Sequence, residues 1–116
     1  MARERSQQIF ERWQKFSLME QLGNIGSEVA RARHWQGKDE KLFWHSTERA
    51  LELFDFTLED PRWRSPAGYR GRLREIARAR EVFCNAISGG KEYKDSLEDL
   101  NRYFLFFAYA ARKNLS

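Results

Sequence analysis

One cysteine, two prolines and two histidines are all that 116 residues contain of three informative residue types. The lone thiol, Cys84, closes no intramolecular disulfide, and among Val82, Phe83 and Ile87 it reads as a small buried side chain. A reducing, cytoplasmic setting is expected. His34 and His45 fall short of the ligand set of a catalytic zinc, and neither paired cysteines nor a His-Glu-x-x-His pattern accompanies them, so no metal and no cofactor is expected. Glycine patterns that cradle phosphates and the Gly-x-Ser-x-Gly turn of serine hydrolases are also missing, which makes an enzyme the less expected reading. No apolar run reaches the ~18 residues of a membrane span, and the amino terminus is charged from Arg3 onward with no apolar signal core. Neither membrane insertion nor secretion is expected.

What the chain does have is core material arranged at helical spacing. Hydrophobic residues make up 41% and aromatics 15%, enough for one domain to bury a core without disulfide or metal staples. Ser17-Leu18-Met19-Glu20 is a capping box, followed by Leu18, Leu22, Ile25, Val29 and Ala32 on one stripe and Gly37 as a stop, which predicts a helix over 17–36. Gly23, Gly26 and Ala30 give this helix a smooth strip that a neighbouring backbone or ring can approach closely. Asp39 caps a second helix, with Phe43, Ala50, Phe54 and Leu58 in line, and Asp60-Pro61 ends it. Arg62, Trp63 and Arg64 fall in a connecting loop. Ser65-Pro66 opens a third helix carrying Tyr69, Leu73, Ile76, Phe83 and Ile87, stopped by Gly89-Gly90. Ser96 caps a fourth, striped by Leu97, Leu100, Phe104, Phe107 and Ala111. Four helices of similar length joined by short loops predict an all-α fold, an up-down antiparallel four-helix bundle over 17–116. The leader, 1–16, places Ile9, Phe10, Trp13 and Phe16 at helical spacing and adds a short amino-terminal helix, packed across the bundle or onto another subunit.

Charge is mild overall at +4 but unevenly placed. Residues 38–60 carry seven acids against three bases, and residues 61–91 eight bases against two acids. Seven of the fifteen arginines lie between Pro61 and Arg80. Arg70, Arg74 and Arg78 recur at four-residue steps on one side of the third helix, and Arg62 and Arg64 flank Trp63, so these five form a candidate nucleic-acid face with Trp63 or Tyr69 available to stack on a base. The acidic second helix competes for the same charges. Arg80 differs, because its spacing from Leu73, Ile76 and Phe83 sets it beside the apolar stripe; Glu28, Glu48 and Asp55 are its candidate partners in a buried ion pair.

From Tyr103 to Ala111 the fourth helix is apolar or aromatic on nearly every side, and a two-layer monomer cannot bury all faces of one helix. Phe106 and Tyr109, with Phe10 and Trp13 of the leader, therefore form a candidate association surface. The partner is a second copy of the chain or a protein encoded nearby; nucleic acid is the alternative.

The segments SLMEQLGNIGSEVARARHW, ERALELFDFTLEDPRW, RLREIARAREVFCNAI and DLNRYFLFFAYAAR together resemble an uncharacterised family of small bacterial four-helix-bundle proteins. More loosely, the chain is similar to the nucleotidyltransferase-substrate-binding and HEPN bundles, which pair with small nucleotidyltransferases in toxin–antitoxin-type modules, and to ribosomal-RNA intervening-sequence proteins. That resemblance implies a helical bundle acting through partners. The HEPN ribonuclease pattern sets an arginine five to seven positions before a histidine, whereas Ser27, Glu28 and Val29 hold those positions before His34, and Lys38, Asp39 and Glu40 hold them before His45. Ribonuclease chemistry of that type is not implied.

Overall fold

A computed structural model of the chain describes residues 2–64, 70–88 and 94–115, with side chains over 7–64, 72–88 and 97–107 and at Tyr109. Five α-helices account for nearly all of the described residues: α1 (Ala2–Trp13), α2 (Leu18–Trp35), α3 (Glu40–Glu59), α4 (Arg70–Ser88) and α5 (Lys94–Leu115). The fold is all-α, and no strand occurs among the described residues.

The local signals act through hydrogen bonds. Ser17 Oγ accepts from the Glu20 backbone N–H at 3.1 Å while the Glu20 carboxylate accepts from the Ser17 N–H at 3.0 Å, so two donors left over at the start of α2 are satisfied reciprocally. The Asp39 carboxylate accepts from the Leu42 N–H at 3.0 Å and opens α3 in the same manner. At the end of α2, Gly37 takes φ +76°, a left-handed conformation that costs little only without a Cβ. The Ser65-Pro66 cap, Tyr69 and the Gly89-Gly90 stop lie outside the described residues, as does the Ser96 side chain; α5 begins at Lys94, two residues before the cap read from the sequence.

Packing follows the stripes. α2 lies extensively against both α3 and α5, and α4 touches α3 and α5. Leu22, Ile25, Val29, Phe54, Ile76, Phe83, Leu97 and Phe104 are fully buried at the centre. Phe54 stands at its hub, 5.9 Å from the Phe83 ring and 5.7 Å edge-on to Phe104. The close α2–α5 packing depends on Gly26: a Cβ there would run into Phe104 Cβ, with Phe104 Cγ at 3.3 Å and its carbonyl carbon at 3.5 Å. The smooth strip expected on this helix is thus occupied, at Gly26, by an aromatic side chain of α5.

α1 is attached differently. It takes no part in the extensive helix pairings and is pinned by its final turns. The Trp13 indole is buried and donates from Nε1 to Thr57 Oγ1 at 3.0 Å, and Phe10 stacks at 5.3 Å on Phe56.

Below Trp13 a polar cluster joins α1, α2 and the end of α3. Asp60 is 0% exposed, a carboxylate withdrawn entirely from water. Its oxygens accept from Gln21 Nε2 at 3.1 Å, from the Arg62 backbone N–H at 3.0 Å and from Arg62 Nη2 at 2.7 Å. Arg62 Nη2 also donates to the Phe16 carbonyl at 2.8 Å. Gln21 Nε2 reaches the Trp13 carbonyl at 2.9 Å, while Gln21 Oε1 accepts from Trp63 Nε1 at 3.0 Å. Each member of the cluster satisfies another, which is the condition under which a buried charge is tolerated. Burial pushes the Asp60 carboxyl up; the Arg62 and Gln21 hydrogen bonds and the Arg62 charge outweigh it and hold the group below the ordinary aspartate range.

Residues 61–63 form a single 3₁₀ turn rather than an irregular loop. Asp60 organises it by accepting from the Arg62 N–H, and the Arg62 guanidinium then lies 4.3 Å above the Trp63 ring.

Candidate functional site

The carboxy-terminal helix carries the most exposed aromatic surface among the described residues. Residues three and four apart share a face, so Leu97, Leu100, Phe104 and Phe107 turn inward together. Leu105, Phe106 and Tyr109 are left on the other side, at 48%, 66% and 63% exposure. Phe106 leans edge-on against the buried Phe107 ring at 5.4 Å, which fixes its base and leaves its outer face to solvent. Three large apolar side chains adjacent on one helix make a contiguous patch of the kind that marks association surfaces. The side chains of Ala108, Ala110 and Ala111 lie outside the described residues.

The other half of the expected association surface is corrected. Trp13 faces the interior with its N–H engaged by Thr57, and Phe10 is half-buried on Phe56. The leader's aromatic stripe faces its own chain, with Trp13 buried and Ile9, Phe10 and Phe16 part-buried. Its spacing shows an apolar face but not which surface covers it.

The arginine window divides by environment. Arg62 is part-exposed but its charge is paired with Asp60 and its Nη2 donates to the Phe16 carbonyl, and Trp63 is buried, so the ring is not presented to a nucleic acid and the charge is already compensated; both are corrected as members of the candidate face. Arg64 donates from Nε to the Leu58 carbonyl at 3.2 Å and remains exposed. Arg72 pairs with Glu75 at 3.6 Å and stacks 5.3 Å from the Phe107 ring centre. Arg74 and Arg78 are exposed at i, i+4 on α4, with no ion pair to a described residue. The Arg70 side chain and Tyr69 lie outside the described residues. What the structure brings together is a pair of cations with Glu81 exposed one turn beyond Arg78.

Arg80 takes a partner from α3, but the pair is not buried. Its Nε donates to Asp55 Oδ1 at 2.8 Å with side-chain exposures of 33% and 48%, so water screens the contact and its net contribution is small. Glu28 instead pairs with Arg31 at 2.6 Å, and Glu48 is exposed. Both are corrected as partners of Arg80. The physical reason is position: both side chains are part-exposed, so the pair forms at the solvent-facing edge of the α3–α4 contact rather than inside it. Arg80 Nη1 also lies 3.8 Å from Cys84 Sγ.

Between α4 and α5, the Tyr103 hydroxyl donates to Glu75 Oε1. Burial and the adjacent carboxylate push the phenol well above its ordinary range, against a weaker pull from Arg72. His34 packs edge-on against Trp35 at 4.6 Å, and His45 is exposed on α3. Among the described residues no three histidine, cysteine, aspartate or glutamate side chains converge in a way that could hold a metal, and no helix is long and apolar enough to cross a membrane.

Neither family models, curated proteins nor solved structures give a match to this chain.

Proposed function

We propose that this protein is a non-enzymatic, cytoplasmic helical bundle that acts by association, with a second copy of itself or with a protein encoded nearby, through the exposed face of α5. The observation that carries this reading is the exposure of Phe106 and Tyr109, 66% and 63%, beside Leu105 on a helix whose other side is fully buried. An up-down antiparallel arrangement of α2 to α5, with α1 laid against α2 and α3, is part of the same reading. It is supported by the closed sequence of pairings α2 with α3, α3 with α4, α4 with α5 and α5 with α2. The single part-exposed thiol of Cys84 suits a reducing compartment.

Light scattering on purified protein over a micromolar concentration series tests association directly. The expected result is a mass above the 13.9 kDa monomer, or a stoichiometric copurifying protein, with Phe106→Asp reducing either one. A monomer throughout, with no copurifying partner, overturns the reading.

A second reading, nucleic-acid binding by α4, rests on exposed Arg74 and Arg78. RNA or DNA affinity should then fall steeply with salt and weaken in an Arg74→Ala, Arg78→Ala double variant. Binding that ignores salt removes this alternative.

A further inference from the structure

Beyond the α5 surface, we propose that the groove between α1 and the α2–α3 pair is a binding site for a monoanionic amphiphile, an aliphatic carboxylate of medium chain length. α1 bridges the molecule without sealing against it, and beneath it lies a cleft of about 350 Å³. A second hollow of about 490 Å³ shares Ile9, Arg12 and Arg49 with the first, so the two form one groove along the side of α1. The cleft volume falls near the low end of the ~300–1,000 Å³ typical of small-molecule sites.

The wall and the rim of the groove have opposite chemistry. Ile9, Trp13, Phe16 and Leu53 supply an apolar wall against which an alkyl chain gains buried contact, while Asn24, Ser27 and the Arg31-paired Glu28 line the rest of the cleft. Arg12, Arg31 and Arg49 stand over it. Two of these already have carboxylate partners, Arg31 with Glu28 at 2.6 Å and Arg49 with Glu52 at 3.1 Å. Arg12 has no ion pair to a described residue and is exposed, so the groove holds a single uncompensated positive charge. One free guanidinium beside an apolar wall matches one carboxylate on an apolar tail. Its planar fork donates to a carboxylate bidentately, and Arg49, pairing only within its own helix surface, can turn toward the same head group.

Isothermal titration of the full chain with decanoate, decanol and acetate separates the contributions of head and tail. Decanoate should bind saturably, with decanol and acetate each weaker by about tenfold or more, because each lacks one half of the match. Arg12→Glu should weaken decanoate by about tenfold or more while decanol is unchanged. Arg12→Gln, which adds no repulsive charge, should lose affinity in the same direction. Both variants should keep the parent's helical circular dichroism, since the Arg12 side chain is exposed and makes no hydrogen bond or ion pair to a described residue. Phe106→Asp should leave decanoate affinity intact, which separates this site from the α5 patch. The proposal is overturned by non-saturable decanoate binding, by equal affinity for decanol, by wild-type affinity in Arg12→Glu, or by loss of binding in Phe106→Asp.

Discussion

Two buried side-chain positions test the core from opposite directions. At Gly26 the backbone of α2 meets Phe104 so closely that a single added methyl must displace one helix. Intrinsic helix propensity favours alanine over glycine by about 1 kcal/mol, whereas overpacking a tight core costs ~1–3 kcal/mol. The clash is with Phe104 Cβ, which cannot swing away, so packing outweighs propensity. Gly26→Ala should lower stability by up to about 2 kcal/mol in urea unfolding, and a raised midpoint contradicts the close approach. Thr47 shows the reverse case. Its Oγ1 is buried with no hydrogen-bond partner among the described residues, and desolvating an unpaired hydroxyl costs ~1–3 kcal/mol. Valine has nearly the same shape without that cost. Thr47→Val should therefore raise the unfolding free energy by about 1 kcal/mol, and a destabilised variant would falsify the orphaned-hydroxyl account.

At the scale of elements, α1 and α5 show two fates for an aromatic stripe. Both carry rings at helical spacing, yet α1 turns Phe10 and Trp13 onto Phe56 and Thr57 while α5 leaves Phe106 and Tyr109 outside. α1 holds on by few contacts, so its amides should exchange with deuterium faster than those of α2. Trp13→Phe keeps an aromatic ring but loses part of the buried indole and the donor to Thr57, a combined loss of about 1–3 kcal/mol that should speed α1 exchange at least roughly fivefold while α2 is little affected. Equal protection of both helices before and after substitution contradicts this view of α1. Much of this architecture is legible along the chain because its causes are local. The Ser17–Glu20 box, the Asp39 cap and the positive-φ Gly37 each depend on atoms within four residues, and the Leu22–Ile25–Val29 stripe follows from the helical period. The candidate sites depend on distant partners. Arg62 has the same local appearance as Arg64, and only the arrival of Phe16 and Gln21 more than forty residues earlier builds the cluster that ties it down. Asp60 reads as a helix terminator before proline, which it is, but nothing near it reveals that Trp13, Gln21 and Trp63 converge there. The one signal available was the coincidence of a buried-type aromatic, Trp63, with polar neighbours at a helix end.

For the molecule as a whole, the Asp60 cluster is the joint that closes one end, because it ties the exit of α1, the start of α2 and the end of α3 to a single carboxylate. Its pKa is held below the ordinary value, so the charged form binds more favourably in the folded state than in the unfolded chain. The stability this contributes is fully present above the unfolded aspartate pKa of about 3.9 and is lost as pH falls through the lower folded value. Asp60→Asn leaves the Arg62 guanidinium without its carboxylate and sets an amide N–H₂ group against donors. Removing one partner of a buried pair costs ~3–5 kcal/mol, and the partial exposure of Arg62 to water brings the expected loss at neutral pH to about 2–3 kcal/mol. The difference in unfolding free energy between parent and variant should stay constant from pH 7 to about 5 and then narrow as the acid limb is entered, because protonation removes from the parent what the substitution removed from the variant. Other carboxylates titrate equally in both proteins and cancel in that difference. A gap that holds its full size well below pH 3 shows that the carboxylate is not the charged centre of the joint, whereas a gap that widens on acidification reverses the sign of the linkage.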